Sequence, residues 1–348
     1  MHPIIESPAE WRGPQLAART DWIHIFSAAE IADIEVALKT ARSRERTLET
    51  LTKADFPLPA LAGTFATLLE GLENGPGLHL LRGFPAERFD KSDLRLIYWG
   101  LGLHLGTAIS QSSSGDLLGD VRNLKTELNG PKGRGYTSNE KLNYHTDFSD
   151  VVALFVLRTA KSGGLSIIGS SIAIHNEIAK RRPDLLEVLY QPYTYSWQGQ
   201  EAPGSLPHYP LPIFTFHKGR FACLYVRSHI LSAQRFPDVP RLTQKQQEAI
   251  DLFDELASSP EFHFSTMFEP GDLQFVNNHV LYHSRTAFED HEGPDRYRHL
   301  LRLWLAVPNS RELSPGFAPI YGDGRPGTVR GGFPTRTGKY IYETVSST

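Results

Sequence analysis

From Gly106 onward the chain is written in short apolar runs separated by Gly, Pro and Ser clusters, and that texture constrains the fold more than any other feature. Residues 151–157, 213–216, 221–226, 273–276 and 298–307 are rich in Val, Ile, Leu and aromatics, and each predicts a strand. Lys218-Gly219, between two of these runs, predicts a hairpin turn. Helical patterns interrupt the region at residues 173–181 and 243–256, the second opened by a Thr243/Gln246 capping box. Many strands with long inserts predict a sandwich or barrel, not a doubly wound sheet. The first 75 residues read as mainly helical. Ser27 and Glu30 form a capping box, and Ile31, Ile34 and Leu38 follow at helical spacing to about residue 43. Residues 57–72 carry a second amphipathic helix, with Leu61, Phe65, Leu68 and Leu69 on its apolar side, ending near Gly75-Pro76-Gly77. A strand at 78–81 and a helix at 91–103 follow.

There is no internal repeat, low-complexity stretch or clean linker, so one domain over residues 1–348 is expected. Its parts are a mainly helical stretch (1–77), a core with inserts (78–310) and a C-terminal extension (311–348). Residues 198–212, rich in Pro and Gly, read as a long loop of the kind that covers a site. The chain has a single cysteine, Cys223, which reads as a small buried hydrophobe. One cysteine rules out an internal disulfide framework, a four-cysteine zinc cluster and an iron–sulfur site held by the chain's own thiolates. Any bound metal must rely on imidazole and carboxylate. A net charge of −3 gives no electrostatic case for nucleic acid. No basic start precedes an apolar run, no stretch approaches the roughly 18 apolar residues of a membrane span, and the final VSST is no recognisable targeting signal. A cytoplasmic protein is expected, acting on a small molecule, with homo-oligomerisation left open.

Three segments carry chemistry. In Asn143-Tyr144-His145-Thr146-Asp147 an extended backbone points His145 and Asp147 the same way. They offer one imidazole nitrogen and one carboxylate oxygen, two-thirds of the two-His-one-carboxylate facial set that leaves three positions open on iron(II). With 14 histidines in the chain, His-x-Asp alone is a weak signal. The second segment, 271–285, reads as a turn, a strand and a stretch holding His279 and His283, either of which could complete the set. In the third, Arg298-His299-Leu300-Leu301-Arg302-Leu303-Trp304-Leu305, a strand puts Arg298, Leu300, Arg302 and Trp304 on one face. Two arginines on an otherwise apolar barrel face are costly unless anions pair with them. A dicarboxylate would do so through fork-like hydrogen bonds, and internal salt bridges would also serve.

In this order, with Ser162-Gly163-Gly164-Leu165-Ser166 between the first two, these pieces resemble the taurine dioxygenase (TauD/TfdA-like) family of Fe(II)/2-oxoglutarate-dependent dioxygenases. The resemblance covers about residues 106–332. It implies an α+β, mainly β fold: a double-stranded β-helix (jelly-roll, clavaminate synthase-like) core with N-terminal and inserted helices. It implies Fe(II), 2-oxoglutarate and O2 as reagents, and His145, Asp147 and His283 as the metal ligands. His283 is preferred over His279 because Tyr282-His283-Ser284-Arg285 matches the family's His-x-Arg context. Arg298 corresponds to the arginine on the far carboxylate of 2-oxoglutarate, and Ser166 to a hydroxyl at that same carboxylate. Arg302 corresponds to a position that meets an anionic substrate in some relatives, and the two arginines could exchange roles. The implied reaction couples oxidative decarboxylation of 2-oxoglutarate to C–H oxidation: hydroxylation, or else desaturation or ring formation. Gln111 resembles a position near the site entrance, while Asn278 is assigned no role.

Two readings compete. The same triad could hold zinc in a hydrolase, although a hydrolase has no need of Arg298 and Ser166. The fold could also be a catalytically inactive jelly-roll binding protein. Gly322-x-Gly324-x-x-Gly327 matches a dinucleotide fingerprint in letters only, since it follows no clear strand and contains Pro326. No Walker loop and no Gly-x-Ser-x-Gly elbow exist. Tyr193, Tyr195, Trp197 and Tyr209 flank the Pro-rich loop and are candidates to line a pocket around a small acid or amino-acid-like substrate.

Overall fold

The computed structural model describes residues 2–125 and 137–339, so the VSST terminus lies outside the described residues. The strand His299–Ala306 shows how the sequence sorts the interior. Its period of two sends Leu301, Leu303 and Leu305 to one side and Leu300 and Trp304 to the other, all of them buried. Leu301, Leu303 and Leu305 join a cluster with Ile34, Leu38, Phe65, Leu68, Ile97 and Leu101 from the helices Ala28–Ser43, Ala62–Asn74 and Lys91–Leu105. Leu300 and Trp304 join a second cluster with Val152, Val156, Val276, Ile168 and Leu281. Full burial of each such side chain contributes roughly 1.5–3 kcal/mol, so this alternation alone specifies which face meets the helices.

The main sheet runs Ile23–Ile25, Leu78–Arg82, Leu273–Asn277, Val151–Arg158, His299–Ala306, Thr107–Ala108, with Leu118–Arg122 also paired to His299–Ala306. Its first pair is parallel and the rest are antiparallel. A second antiparallel sheet, His263–Thr266, Ser166–Ser170, Leu281–Arg285, packs through the second cluster. The result is the expected jelly-roll core with N-terminal and inserted helices. Register then places the polar residues. Gln274 and Arg302 both stand opposite Leu154, so the three form one row on the inner face of the main sheet. Beyond that row, His299 faces Arg158 and Leu300 faces Val156, leaving Leu157 as a bulge.

The predicted helices form with small changes of boundary, and the Ser27/Glu30 and Thr243/Gln246 boxes cap them. The second helix starts later than expected, at Ala62, because Pro57 and Pro59 hold the preceding residues in a turn. The run 221–226 also divides. Arg220–Cys223 pairs with Phe214–His217 around the Lys218-Gly219 turn, while residues 224–226 leave that ladder and Val226 bridges to His145. The stretch 198–212 is not wholly a loop. His208–Pro212 pairs with Pro192–Ser196, leaving 197–207 to connect them. Its prolines hide a period-two pattern (Tyr209, Leu211) that a two-stranded hairpin tolerates. Among the described residues, no helix is long and apolar enough to cross a membrane.

Cys223 is buried, and burial pushes its thiol up to about 12. Native protein at about pH 8 is therefore expected to resist an aromatic disulfide reagent, and unfolded protein to react fully. Prompt labelling of native protein would contradict this placement.

Candidate active site

A short backbone bridge brings the two histidine segments together. His145 N–H donates to the His283 carbonyl (3.0 Å) and His283 N–H to the His145 carbonyl (2.8 Å). Their rings consequently lie 4.4 Å apart, centroid to centroid. On the other side of His145, Thr146 N–H donates to the Tyr225 carbonyl, and Tyr225 N–H returns a bond to Thr146 Oγ1. Residues 224–226 left their ladder to make this contact. Asp147 is anchored through its backbone: its N–H donates to Asn278 Oδ1 (3.0 Å), and Asn278 Nδ2 donates to the carbonyl and hydroxyl of Ser149. Asn278, given no role by the sequence, thus ties the second histidine segment to the first.

The side chains of His145, Asp147 and His283 converge. His145 Nε2 lies 3.9 Å from Asp147 Oδ1, and His283 Nε2 lies 3.7 Å from Asp147 Oδ2. One donor atom from each residue falls within 4.8 Å of the other two. His145 Nδ1 lies 2.7 Å from the Asn143 carbonyl. A carbonyl only accepts, so Nδ1 carries the proton and Nε2 presents its lone pair to the cluster. Burial, followed by the neighbouring His145, pushes His283 down to about 3 and keeps it neutral. Burial alone would raise Asp147, but the Arg302 charge, with the Trp304 N–H, holds its carboxyl below the ordinary range. Trp304 Nε1 donates to Asp147 Oδ2 at 2.9 Å. Two imidazoles and one carboxylate are a donor set suited to a divalent metal. His279 is elsewhere: it is fully buried and its Nε2 bonds Asp150 Oδ1 at 2.8 Å.

Arg298 and Arg302 point to different neighbourhoods, although both project from the inner face. Arg302 Nη1 lies 3.9 Å from Asp147 Oδ2, and its guanidinium sits 5.0 Å from the Trp304 ring. Gln111 orients it. Gln111 Nε2 donates to the Leu117 and Arg302 carbonyls, which turns Gln111 Oε1 toward Arg302 Nε, 2.7 Å away. Arg298 is buried beside Gly164, where a Cβ would come within 3.2 Å of Arg298 Nε. The absence of a side chain at 164 makes room for the guanidinium. Arg298 also stands 5.1 Å over the Phe288 ring, and its Nη1 is buried with no hydrogen-bond partner. Ser166 Oγ donates to Gln274 Oε1 at 3.1 Å, which leaves Gln274 Nε2 buried and also without an acceptor. Arg298 Nη1 and Gln274 Nε2 are thus each a buried donor without an acceptor, a costly state that a bound acceptor relieves. Sequence reasoning missed Gln274, although its alternation with Leu273 and Phe275 places it on the inner face.

Of the four candidate pocket aromatics, Tyr193 and Tyr195 are core residues whose hydroxyls donate to the backbone carbonyls of Gln246 and Leu224. Tyr209 packs on Trp197 at 4.2 Å. Trp197 connects through Phe333 to Trp304, and so to Asp147.

The chain is similar to known proteins over most of its length. A family model described as taurine catabolism dioxygenase TauD, TfdA family matches residues 43–304. The chain is 34% identical over 306 residues to FR-33289 synthase of Streptomyces rubellomurinus, covering 87% of this chain and 90% of that protein. It is 26% identical over 303 residues to the taurine hydroxylase-like protein SAT17 of Stachybotrys chartarum, covering 84% and 77%. Among solved structures, an asparagine oxygenase in complex with Fe(II), 3-hydroxyasparagine and succinate superposes with a TM-score of 0.64 at 15% identity, covering 82% of this chain and 93% of that one. The non-heme iron oxygenase OrfP, in complex with Fe and alpha-ketoglutaric acid, gives 0.58 at 17%, covering 81% and 93%. At such identities these two likenesses speak for the fold.

Proposed function

The chain belongs to the TauD/TfdA family, whose reagents are Fe(II), 2-oxoglutarate and O2, and from that premise we propose that it oxidises a C–H bond of a small anionic substrate. Hydroxylation is the expected outcome, with desaturation or ring closure as variants of the same oxidation. His145, Asp147 and His283 would hold the iron. Arg298, Ser166 and Gln274 would hold the far carboxylate of 2-oxoglutarate. The observation that carries this reading is the pair of buried, acceptor-less donors, Arg298 Nη1 and Gln274 Nε2. A zinc hydrolase on the same triad would leave both without purpose, at a cost of about 1–3 kcal/mol per unsatisfied group.

When bound, iron and 2-oxoglutarate supply the oxidising chemistry, with O2 consumed and succinate and CO2 released. The chain's own residues bind and orient. His145 presents Nε2 because the Asn143 carbonyl holds its Nδ1 proton. Trp304 N–H fixes the Asp147 carboxylate, and Gln111 fixes Arg302 toward the metal side. Arg302 would take the substrate's carboxylate, sulfonate or phosphonate, and the aromatic group around Trp197 and Phe333 would cover its body and exclude water. An amino-acid-like molecule meets both demands. Two structural neighbours were solved with such molecules: an asparagine oxygenase with 3-hydroxyasparagine and OrfP with 3-hydroxyarginine.

The test is a screen of amino acids and small carboxylates, sulfonates and phosphonates, read by succinate release with Fe(II). One class is expected to raise succinate well above the substrate-free background. Failure of 2-oxoglutarate to bind the anaerobic Fe(II) protein, together with zinc-dependent hydrolysis, would overturn the reading.

A further inference from the structure

The matched family region ends at residue 304, yet the segment beyond it packs against the metal-binding group. Its anchor is Arg330, whose side chain is fully buried. Arg330 Nε donates to Asp150 Oδ1 at 2.9 Å, the same oxygen that His279 Nε2 approaches, and Val307 N–H bonds Asp150 Oδ2. The other guanidinium nitrogens donate to the carbonyls of Arg311, Gly324 and Arg325. His279 and the Gly322–Gly327 turn thus serve one structure: a charged pin holding the C-terminal segment three residues from Asp147.

Gly331 and Gly332 follow, with φ of +83° and +79°. A Cβ on either would lie 2.6 Å from a backbone oxygen, that of Phe148 or Ser110 respectively. Only glycine lets the chain lie this flat. Gly332 N–H then donates to the Phe148 carbonyl and Phe333 N–H to the Ser110 carbonyl. These bonds deliver the Phe333 ring among Phe148 (5.2 Å), Trp304 (5.9 Å) and Trp197 (6.2 Å). Trp304 is the residue that bonds Asp147 and underlies Arg302.

We propose that Phe333, delivered by the Arg330-Gly331-Gly332 anchor, is a positioning residue that holds the Trp304 indole and thereby fixes both the metal-binding carboxylate and the substrate-facing Arg302. The inference rests on the proposed metal site. Trp304 has one polar atom, and its direction decides whether Asp147 turns an oxygen toward the two imidazoles. Packing on one side of the indole comes from Phe148, whose carbonyl the same segment binds, so the segment braces the indole from two contacts.

The probe is Co(II) alone, titrated by its visible bands into the full chain. Phe333→Ala is expected to weaken Co(II) binding by about 10-fold, the usual effect of disturbing a ligand's support. Trp304→Phe, which removes the N–H, is expected to lose a similar amount, and the double variant no more than either alone. A lowered melting temperature with Co(II) affinity and bands unchanged within about twofold would make Phe333 a core residue only and overturn the inference. Should Phe333→Ala not fold, Phe333→Leu keeps the apolar volume and is expected to weaken Co(II) about threefold, unchanged affinity again counting against the idea. Wild type that fails to bind Co(II), or binds it equally after Asp147→Ala, would instead overturn the metal site itself.

Discussion

Arg298→Met is expected to weaken 2-oxoglutarate binding by about 10²- to 10³-fold while leaving metal binding intact. The guanidinium is buried on the Phe288 ring with Nη1 unpartnered. Burial, reinforced by Arg285, pushes its pKa down to about 9, only partly offset by Asp290. An arriving carboxylate relieves that stress, and removing one member of a buried, hydrogen-bonded charge pair costs roughly 3–4 kcal/mol, each 1.4 kcal/mol being tenfold. Gln274→Leu removes a neutral donor and should cost less, about 5- to 10-fold. Both are measured by anaerobic titration of the Fe(II) protein, following the weak visible absorption of its 2-oxoglutarate complex. An unchanged requirement in Arg298→Met, with Arg302→Met impaired, would exchange the two arginines.

Asp147→Ala and His283→Ala are each expected to abolish that absorption and reduce turnover by more than about 10³-fold, because two ligands do not hold the metal in a facial set. His279→Ala should separate cleanly from them. Its ring is pushed down to about 4 by burial, which outweighs the opposing effect of Asp150, and it lies outside the cluster. Its loss leaves the absorption in place but lowers stability by about 1–3 kcal/mol, since Asp150 keeps Arg330 but loses a buried partner. The reverse pattern, absorption lost in His279→Ala and kept in His283→Ala, would mean the wrong histidine has been chosen.

The residues of the site differ in how visible they are in the sequence. His145 and Asp147 are visible because an extended backbone makes i and i+2 neighbours. Arg298, Arg302 and Trp304 are visible for the same reason. The choice between His279 and His283 is not a local matter. It depends on a bridge across 138 residues of chain, between His145 and His283, that no periodicity encodes. Gln274 is hidden differently: its inner-face position is readable, but its importance comes from Ser166 on the opposite sheet, which occupies its oxygen and leaves its nitrogen bare. The hairpin at 192–212 is hidden by its prolines, which read as loop although Pro192 and Pro212 form the end pair of a two-stranded ladder and Pro210 stands opposite Thr194 within it. The C-terminal segment offers only glycines to the reader, and their purpose is visible once Phe148 and Ser110 stand against them.

Arg302 lies within the strand His299–Ala306 and Arg298 immediately precedes it, and this four-residue separation sets a length scale. At about 3.3 Å per residue their backbones are at most roughly 13 Å apart. The His145, Asp147 and His283 group lies at the Arg302 end, with Arg302 Nη1 3.9 Å from Asp147 Oδ2. On the proposed reading, a molecule gripped by its acidic group at Arg302 would have only a short tether before it reached those three side chains. The strand would then act as a ruler, favouring oxidation of a carbon a few bonds from the acidic group over one at the far tip of a long chain.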